Sequence, residues 1–150
     1  CANFESGDAG IMLPGSHNDS VESIVFCELL PYVVSCGMDN KIQIHDFSNM
    51  SLRQSVSATI AGGGFTMVKV SKLDGNIVIA ASTFGTIVTL DVRNGSILYE
   101  FKGHYGPINC FIEVLHDNMS FVVTAGDDSN VHLYNISIPP ASSEKVKQIK

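Results

Sequence analysis

The sequence predicts an all-β protein made of repeated, small antiparallel sheets, and three observations support this prediction. Valine, isoleucine, serine and threonine recur in short runs, which suits half-buried strands better than helices. Thirteen glycines provide for many tight turns. One pattern of apolar run, polar turn and alternating run occurs three times along the chain, which indicates an internal repeat.

The three repeated segments are Tyr32–Phe47, Asn76–Val92 and Phe121–Ile136. The polar residues that close their alternating runs, Asp46, Asp91 and Asn135, lie 45 and 44 positions apart. A period of about 40–45 residues with four strands per unit is typical of the blades of a β-propeller. The spacing of the repeat therefore predicts about three blades.

Turn signals divide the chain into five parts. We expect residues 1–14 to hold the end of a preceding blade and a linker, 15–57 the first blade, 61–102 a degenerate second blade, 103–138 a third blade without its outer strand, and 139–150 a C-terminal tail. The third unit stops at Pro139-Pro140, because proline cannot donate to a sheet ladder. We therefore expect the C-terminal fragment of a larger ring. Asn94-Gly95 is expected to form a two-residue hairpin turn, whose central residues both need positive φ.

Four residue types at matching positions of the units resemble the WD40 family. The third unit carries Gly103-His104 before its inner strand, Thr124, Asp128 and Tyr134-Asn135. The first unit carries His17, Ser35, Asp39 and His45-Asp46 at the same positions. The second unit keeps Ser82 and Leu90-Asp91, lacks the Gly-His pair, and has Phe84 in place of the turn aspartate. The resemblance covers residues 15–136 and implies a WD40-type β-propeller.

The residues that carry this resemblance predict a structural network. A histidine beside a buried aspartate and a hydroxyl group links the turn of a blade to its inner strand. The predicted network residues are His17, Ser35, Asp39, Asp46, Asp91, His104, Thr124, Asp128 and Tyr134. Ser35, His17 and Asp39 are also the residue types of an acyl-transfer triad. Because the third unit repeats the pattern, we interpret it as structural and expect no catalytic residue. In the second unit, Phe84 suggests hydrophobic packing instead.

Several short runs resemble a narrower group of WD40 proteins. They are Ser20–Cys27, Leu30-Pro31, Ile44–Asp46, Ser51–Gln54, Asp91–Gly95 and Phe101–His104. Together they resemble the C-terminal blades of the angio-associated migratory cell protein family, which includes a yeast chaperone of a newly made large-subunit ribosomal protein. The resemblance implies a propeller whose acidic face shields the basic N-terminal segment of ribosomal protein uL16. A general WD40 adaptor in signalling, cell migration or cytoskeletal complexes is the alternative.

The charge of the chain favours a basic protein partner. The formal net charge is −6, and residues 1–143 hold 14 acidic side chains against 6 basic ones. Such a surface repels nucleic acid and anionic membranes and attracts basic segments. We expect no small-molecule substrate and no cofactor, and a cytoplasmic location that extends to the nucleus. The predicted partner-binding residues lie on turns and are Asp19, Met38, Phe84, Tyr105 and Asp127.

We interpret the remaining histidine, aspartate and cysteine residues as structural. A metal site could draw on His104, His116, His132, Asp117 and Asp127, but they lack the spacing of a metal motif, so no metal is expected. His132 is expected to point outward from its strand. Cysteines 27, 36 and 110 lie in strand-like runs and are expected to be reduced and buried.

Overall fold

The described part of the chain contains twelve strands. They form three four-stranded antiparallel sheets, and within each sheet neighbouring strands are consecutive in the chain. The structure is a computed structural model that describes residues 10–58, 63–137 and 145–149, the last of these by backbone alone. The strands are β1 (Val21–Cys27), β2 (Tyr32–Gly37), β3 (Lys41–Asp46), β4 (Ser51–Ser57), β5 (Phe65–Val70), β6 (Ile77–Ser82), β7 (Thr86–Asp91), β8 (Ser96–Lys102), β9 (Ile108–His116), β10 (Met119–Gly126), β11 (Val131–Asn135) and β12 (Lys145–Ile149). The all-β prediction with three blades is confirmed.

The third sheet contains a fourth strand that the sequence analysis did not predict. Strand β12 pairs antiparallel with β11, with Val131 opposite Ile149 and Tyr134 opposite Lys145. The expectation of a third blade without its outer strand is therefore wrong, and so is the expected tail at residues 145–149, whereas residues 138–144 and 150 lie outside the described part. The lysines of this segment suggested a solvated tail, yet lysine is also common on outer strands, where it discourages pairing with other chains. Of the predicted first segment, residues 1–9 lie outside the described part.

The turns between the second and third strands of the three sheets share a backbone feature. Each contains one residue in the left-handed region: Asn40 (φ 63°), Gly85 (φ 78°) and Ser129 (φ 65°). Asparagine and glycine tolerate this conformation better than most residues. The three turns therefore have the same shape, although the middle one has lost the aspartate found in the other two.

The two-residue hairpin turn lies at a different place from the predicted one. Asp117 (φ 51°) and Asn118 (φ 61°) both have positive φ and join β9 to β10. At the predicted site only Gly95 is left-handed (φ 72°), and its amide donates to the Asp91 carbonyl oxygen at 2.8 Å. The Asn94-Gly95 pair therefore lies in a longer turn, because four residues rather than two separate β7 from β8.

The middle sheet is covered on both faces, and two hydrophobic cores result. Val88 and Leu90 of β7 pack with the first sheet, while Ile87 of the same strand packs with Phe111 and Tyr134 of the third. All six side chains of β7 are buried. Such a strand lacks the polar alternation of a half-exposed strand, since both of its faces lie in a core.

The outer faces of the first and third sheets remain exposed. Ile24 and Ile112, on β1 and β9, are 64% and 56% exposed. Cys110 shares the outward face of β9 with Ile112, so its predicted burial is wrong, whereas Cys27 and Cys36 are fully buried. Burial raises the pKa of the Cys36 thiol to about 12, which keeps it protonated at neutral pH. Over the described residues, the structure contains no helix with the length and apolar character of a membrane span.

Substitutions at two neighbouring positions of β9 can test whether one of them lies in the core between the second and third sheets. The Phe111 side chain is 1% exposed in the core between the second and third sheets, whereas Ile112 faces outward. We expect Phe111→Ala to lower the free energy of unfolding by about 3–5 kcal/mol. Ile112→Ala, the control, should change it by about 0.5 kcal/mol or less. Equal losses in urea unfolding of the two variants would contradict the core assignment.

Candidate functional site

Turns and connecting segments gather at one end of the sheets. Antiparallel pairing places the start of each inner strand beside the end of the second strand, with Val21 opposite Gly37 and Ile108 opposite Gly126. The segments that lead into β1, β5 and β9 therefore lie next to the turns that leave β2, β6 and β10. We call this end the histidine rim, and its residues are 15–20, 37–40, 63–64, 82–85, 103–107 and 126–130.

A hydrogen-bonded network holds the histidine rim of the first sheet. His17 Nδ1 lies 2.9 Å from Asp39 Oδ1, and His17 Nε2 lies 2.9 Å from Ser35 Oγ. A neutral imidazole with its proton on Nδ1 donates to Asp39 and accepts from the Ser35 hydroxyl, so both ring nitrogens are satisfied. The amides of Asn18 and Lys41 also donate to the Asp39 carboxylate, at 2.8 and 3.2 Å. Asp39 thus connects the segment before β1 with the turn before β3.

The third sheet repeats this network with the same atoms. His104 Nδ1 lies 2.8 Å from Asp128 Oδ1, and His104 Nε2 lies 2.7 Å from Thr124 Oγ1. The amides of Tyr105 and Asn130 donate to the Asp128 carboxylate at 3.0 and 3.1 Å. The structure therefore brings together six of the nine predicted network residues in two equivalent groups.

Both aspartates are held as carboxylates. Burial alone would raise the pKa of Asp39, but the hydrogen bonds from His17, Asn18 and Lys41 outweigh it and lower the pKa below its ordinary value. The same balance between desolvation and hydrogen bonds from His104 and the neighbouring amides lowers the pKa of Asp128 strongly. An ionised carboxylate is an acceptor only, which matches the donors that surround each aspartate.

The middle sheet holds its turn without histidine or aspartate. Ser82 Oγ accepts the amides of Phe84 and Thr86 at 3.2 and 3.1 Å, and Thr83 Oγ1 accepts the Gly64 amide at 3.1 Å. The Phe84 ring is 45% exposed, with Lys102 Nζ 5.9 Å from its centroid, so its predicted role in hydrophobic packing is wrong. Because histidine and aspartate are both absent, Ser82 bonds to backbone amides and is not left without a partner, which is why this blade tolerates the change.

Of the remaining predicted network residues, Tyr134 lies beside the third-sheet group, with its hydroxyl against Gly103, whereas Asp46 and Asp91 lie elsewhere. Asp46 and Asp91 are at the opposite rim, where each carboxylate accepts the amide two residues later, from Ser48 and Arg93, both at 2.9 Å. The side-chain hydrogen bond from Arg93 is the main cause of the lowered pKa of Asp91. The Tyr134 ring is 1% exposed and stacks on Phe101 with 4.9 Å between centroids. Burial raises its pKa to about 12.

The five predicted partner-binding residues all lie on the histidine rim. Asp19 and Asp127 are exposed, Phe84 is 45% exposed and Tyr105 is 93% exposed. Met38 is half-buried, and its backbone lies against Gly64. Asp127 accepts a hydrogen bond from Asn109 at 2.7 Å. Antiparallel topology therefore places residues from all three sheets on one surface.

The histidine rim and the adjoining strand ends carry more carboxylates than basic side chains. Within the described residues, its carboxylates and those at the adjoining strand ends are Asp19, Glu22, Asp39, Asp127 and Asp128, and its lysines are Lys41 and Lys102. The negative charge is spread over the first and third sheets, while the middle sheet presents Phe84. Such an arrangement can attract a basic chain over several contacts at once.

The distances within the networks can be compared with those of an acyl-transfer triad and of a metal site. The Ser35–His17–Asp39 distances match those of an acyl-transfer triad, yet the Thr124 hydroxyl in the equivalent group is only 1% exposed. His104 and Asp128 lie with His132 in a group whose ligand atoms are within 4.8 Å of one another. Both nitrogens of His104 are engaged by Asp128 and Thr124, so a metal ion there would disrupt the bonds that hold the turn.

Two details of the predicted metal set differ from expectation. His132 is 1% exposed, and its ring contacts that of His104 with 4.3 Å between centroids, so its predicted outward orientation is wrong. It shares the inward face of β11 with Tyr134, two residues away, as strand alternation requires. His116 ends β9 and Asp117 begins the exposed turn that follows it, away from this group. Asp128, which is a member of this group, was not among the metal ligands considered from the sequence.

Removal of the third-sheet histidine should destabilise the fold. His104→Ala leaves Thr124 and the partly buried Asp128 without their partner, and we expect a loss of about 1–3 kcal/mol in the free energy of unfolding. The control is His116→Ala, since the His116 side chain is 74% exposed. This control should stay within about 0.5 kcal/mol of the original chain in urea unfolding. Similar losses for both variants would refute the structural role of His104.

The lowered pKa values of Asp39 and Asp128 predict a dependence of stability on pH. Their folded-state pKa values lie below the unfolded value of about 3.9. The stability they contribute is therefore fully present above that pH and is lost as the pH falls through the folded-state values. We expect Asp39→Asn with Asp128→Asn to reduce the loss of unfolding free energy between about pH 5 and pH 3. An unchanged slope would contradict the predicted contribution.

Comparison with known proteins places the chain in a family. The family described as WD domain, G-beta repeat matches residues 11–46 and 95–135, about half of the chain. The unmatched stretch between these ranges contains most of the middle sheet, which lacks the histidine and the aspartate of the hydrogen-bonded networks. The two matched ranges contain the two complete networks.

Curated relatives extend the match over the middle sheet. The chain is 28% identical over 125 residues to the angio-associated migratory cell protein of Canis lupus familiaris and 27% identical to that of Homo sapiens. An uncharacterised WD repeat-containing protein of Schizosaccharomyces pombe is 26% identical over 121 residues. These matches cover 80–83% of the chain but only 27–29% of each relative.

Solved structures show the same fold. The crystal structure of the computationally designed Ika8 protein superposes with a TM-score of 0.70 and 20% identity. The match covers 91% of this chain and 38% of the designed one. The repeat match, the paired histidine–aspartate networks and the three four-stranded sheets lead to one conclusion: the chain belongs to the WD40 family of β-propeller proteins.

Proposed function

We propose that this chain is part of a ribosome-biogenesis chaperone that holds a basic large-subunit ribosomal protein, uL16, at its histidine rim. WD40 domains are protein-binding scaffolds, and the family is generally non-enzymatic. The observation that carries the finer proposal is the excess of carboxylates on that rim, on a chain with net charge −6. We place the protein in the cytoplasm, with access to the nucleus.

Electrostatics supports a partner with several basic side chains. One exposed ion pair is worth only about 0–1 kcal/mol, so a single lysine would bind weakly. Asp19 lies on the first sheet's part of the rim, with Glu22 at the adjoining strand end, and Asp127 lies on the third sheet's part, so a flexible basic segment can contact both. Spread charge also speeds association, and salt weakens this effect by screening charges that are separated by more than the Debye length of about 8–10 Å.

Exposed aromatic rings add an apolar component to the same surface. Tyr105 follows His104, whose amide donates to the Gly85 carbonyl oxygen at 3.3 Å, so the Tyr105 and Phe84 segments are held side by side. The faces of such rings bind arginine and lysine through cation–π contacts worth about 0.5–1 kcal/mol when exposed. Tyrosine is also enriched among residues that dominate binding energy at interfaces.

A general adaptor in signalling, cell migration or cytoskeletal complexes is the second candidate. Tyr105 and Phe84 favour it, because an apolar anchor binds partners of any charge. The chain spans about a quarter of the length of the curated relatives it matches, whose name describes a migratory cell protein. The two candidates differ in how binding responds to salt, since apolar contacts are insensitive to it.

Binding to the N-terminal segment of uL16 tests the leading proposal. We expect a synthetic peptide of this segment to bind the chain with an affinity that falls steeply between low and moderate salt, because the contacts are ionic. Asp19→Asn with Asp127→Asn should weaken binding several-fold, with each lost contact worth about 0.2–1 kcal/mol. Titration calorimetry at two salt concentrations provides the measurement.

The control changes one charge away from the histidine rim. Asp117 lies on the turn between β9 and β10, and its side chain is 78% exposed. Asp117→Asn should leave peptide binding close to that of the original chain. Equal weakening by Asp117→Asn would indicate nonspecific attraction. Salt-insensitive binding of other proteins that is lost in Tyr105→Ala, together with no binding of the uL16 peptide, would favour the adaptor.

A further inference from the structure

A cavity lies between the second and third sheets, at the rim opposite the histidine networks. Its volume is about 500 Å³. The loop between β5 and β6 contributes Asp74, strand β7 and the turn after it contribute Thr89, Asp91 and Arg93, and the third sheet contributes Ser120. We call this cavity the inter-sheet cleft.

Thr89 offers the cleft a hydrogen-bonding group that the protein leaves unused. The residue is 0% exposed, and its hydroxyl has no hydrogen-bond partner in the protein. A buried hydroxyl without a partner costs about 1–3 kcal/mol, so such groups are rare unless something else uses them. Because Thr89 lines the cleft, a ligand there can supply the missing hydrogen bond.

The inner end of the cleft presents acceptors rather than donors. Glu113 is 7% exposed, and the Ser71 hydroxyl donates to its carboxylate at 2.6 Å. The Ser120 hydroxyl and the Lys72 amide also donate to this carboxylate. Ser120 uses its only hydroxyl proton on Glu113, so the lone pairs of its oxygen remain for the cleft. A ligand that donates hydrogen bonds can therefore use the Ser120 oxygen at this end.

Charge around the cleft selects a cation. The lining contains two carboxylates, Asp74 and Asp91, and one guanidinium, Arg93, which donates to Asp91 at 2.7 and 3.0 Å. Arg93 thus neutralises Asp91 while its own side chain is 54% exposed. Asp74 and the buried Glu113 carboxylate behind the wall leave the site negative. Lys72 contacts the Glu113 carbonyl oxygen at 3.4 Å and is not part of the lining.

We infer that the inter-sheet cleft binds one basic side chain, an arginine or a lysine, of a partner polypeptide. The cationic group donates to Thr89 Oγ1 and Ser120 Oγ and pairs with the Asp74 carboxylate. Its alkyl stem lies against the apolar part of the wall, which includes Leu73 and Ile136. This site is at the other end of the sheets from the histidine rim and stands whether or not uL16 is the partner.

A short peptide with one arginine tests the inference. The probe is acetyl-Gly-Gly-Arg-Gly-Gly-amide, compared with its lysine analogue and with the citrulline analogue, which keeps the shape of arginine without its charge. We expect the chain to bind the arginine or the lysine peptide and to show no measurable affinity for the citrulline peptide. Failure to bind either basic peptide, or equal affinity for the citrulline peptide, would overturn the proposal.

Two variants locate the binding. Asp74→Asn should weaken binding about tenfold, the size expected for loss of one charged hydrogen bond. Thr89→Val should weaken it as well, yet its melting temperature should be unchanged or higher, because the variant removes an unsatisfied buried hydroxyl. A structural role for Thr89 would instead lower the melting temperature. Affinity unchanged in both variants would refute the proposed site.

Thr86 offers a matched control on the same strand. It is 3% exposed, and its hydroxyl also lacks a partner, but it does not line the cleft. Thr86→Val should leave peptide affinity unchanged. Asp19→Asn with Asp127→Asn should also leave it unchanged, which separates this site from the histidine rim. Weakening of the short peptide by the rim variant alone would assign the binding to that rim and overturn the proposal for the cleft.

Discussion

A carboxylate that accepts several hydrogen bonds at once is the interaction on which the histidine rim depends. Asp39 and Asp128 each receive a histidine ring nitrogen and two backbone amides from two separate segments. Because charged hydrogen bonds in partly buried sites are stronger than neutral ones, one side chain fixes both segments. The rigid turns then hold exposed residues such as Tyr105 in place for a partner.

The second constraint is the burial of the middle sheet on both faces. Val88 and Ile87 are neighbours in sequence, yet they belong to different hydrophobic cores. The position of each sheet is therefore set by its neighbours, and polar groups trapped between sheets must find partners there. Glu113 does so across the interface with Ser71, whereas Thr89 does not. The inter-sheet cleft arises where this packing is incomplete.

The two rims consequently differ in character. The histidine rim presents charged and aromatic side chains on a broad surface, which suits a flexible basic segment. The opposite rim presents a recessed cavity lined by acceptors, which suits a single side chain. WD40 proteins share the scaffold and differ in such surfaces, so function has to be argued from the side chains and not from the fold.

The repeat and the two histidine networks could be predicted from the sequence alone, because alternation and short motifs with fixed spacing are local properties. The sequence also assigned Asp19 and Tyr105 to one rim, since antiparallel order places alternate turns at one end. The pairing of β12, the exposure of Cys110 and the burial of His132 could not be predicted in this way. Each depends on which face of a strand another sheet covers, and that is a long-range contact. The inter-sheet cleft likewise joins Asp74 to Ser120 from different sheets, a proximity that no local pattern encodes.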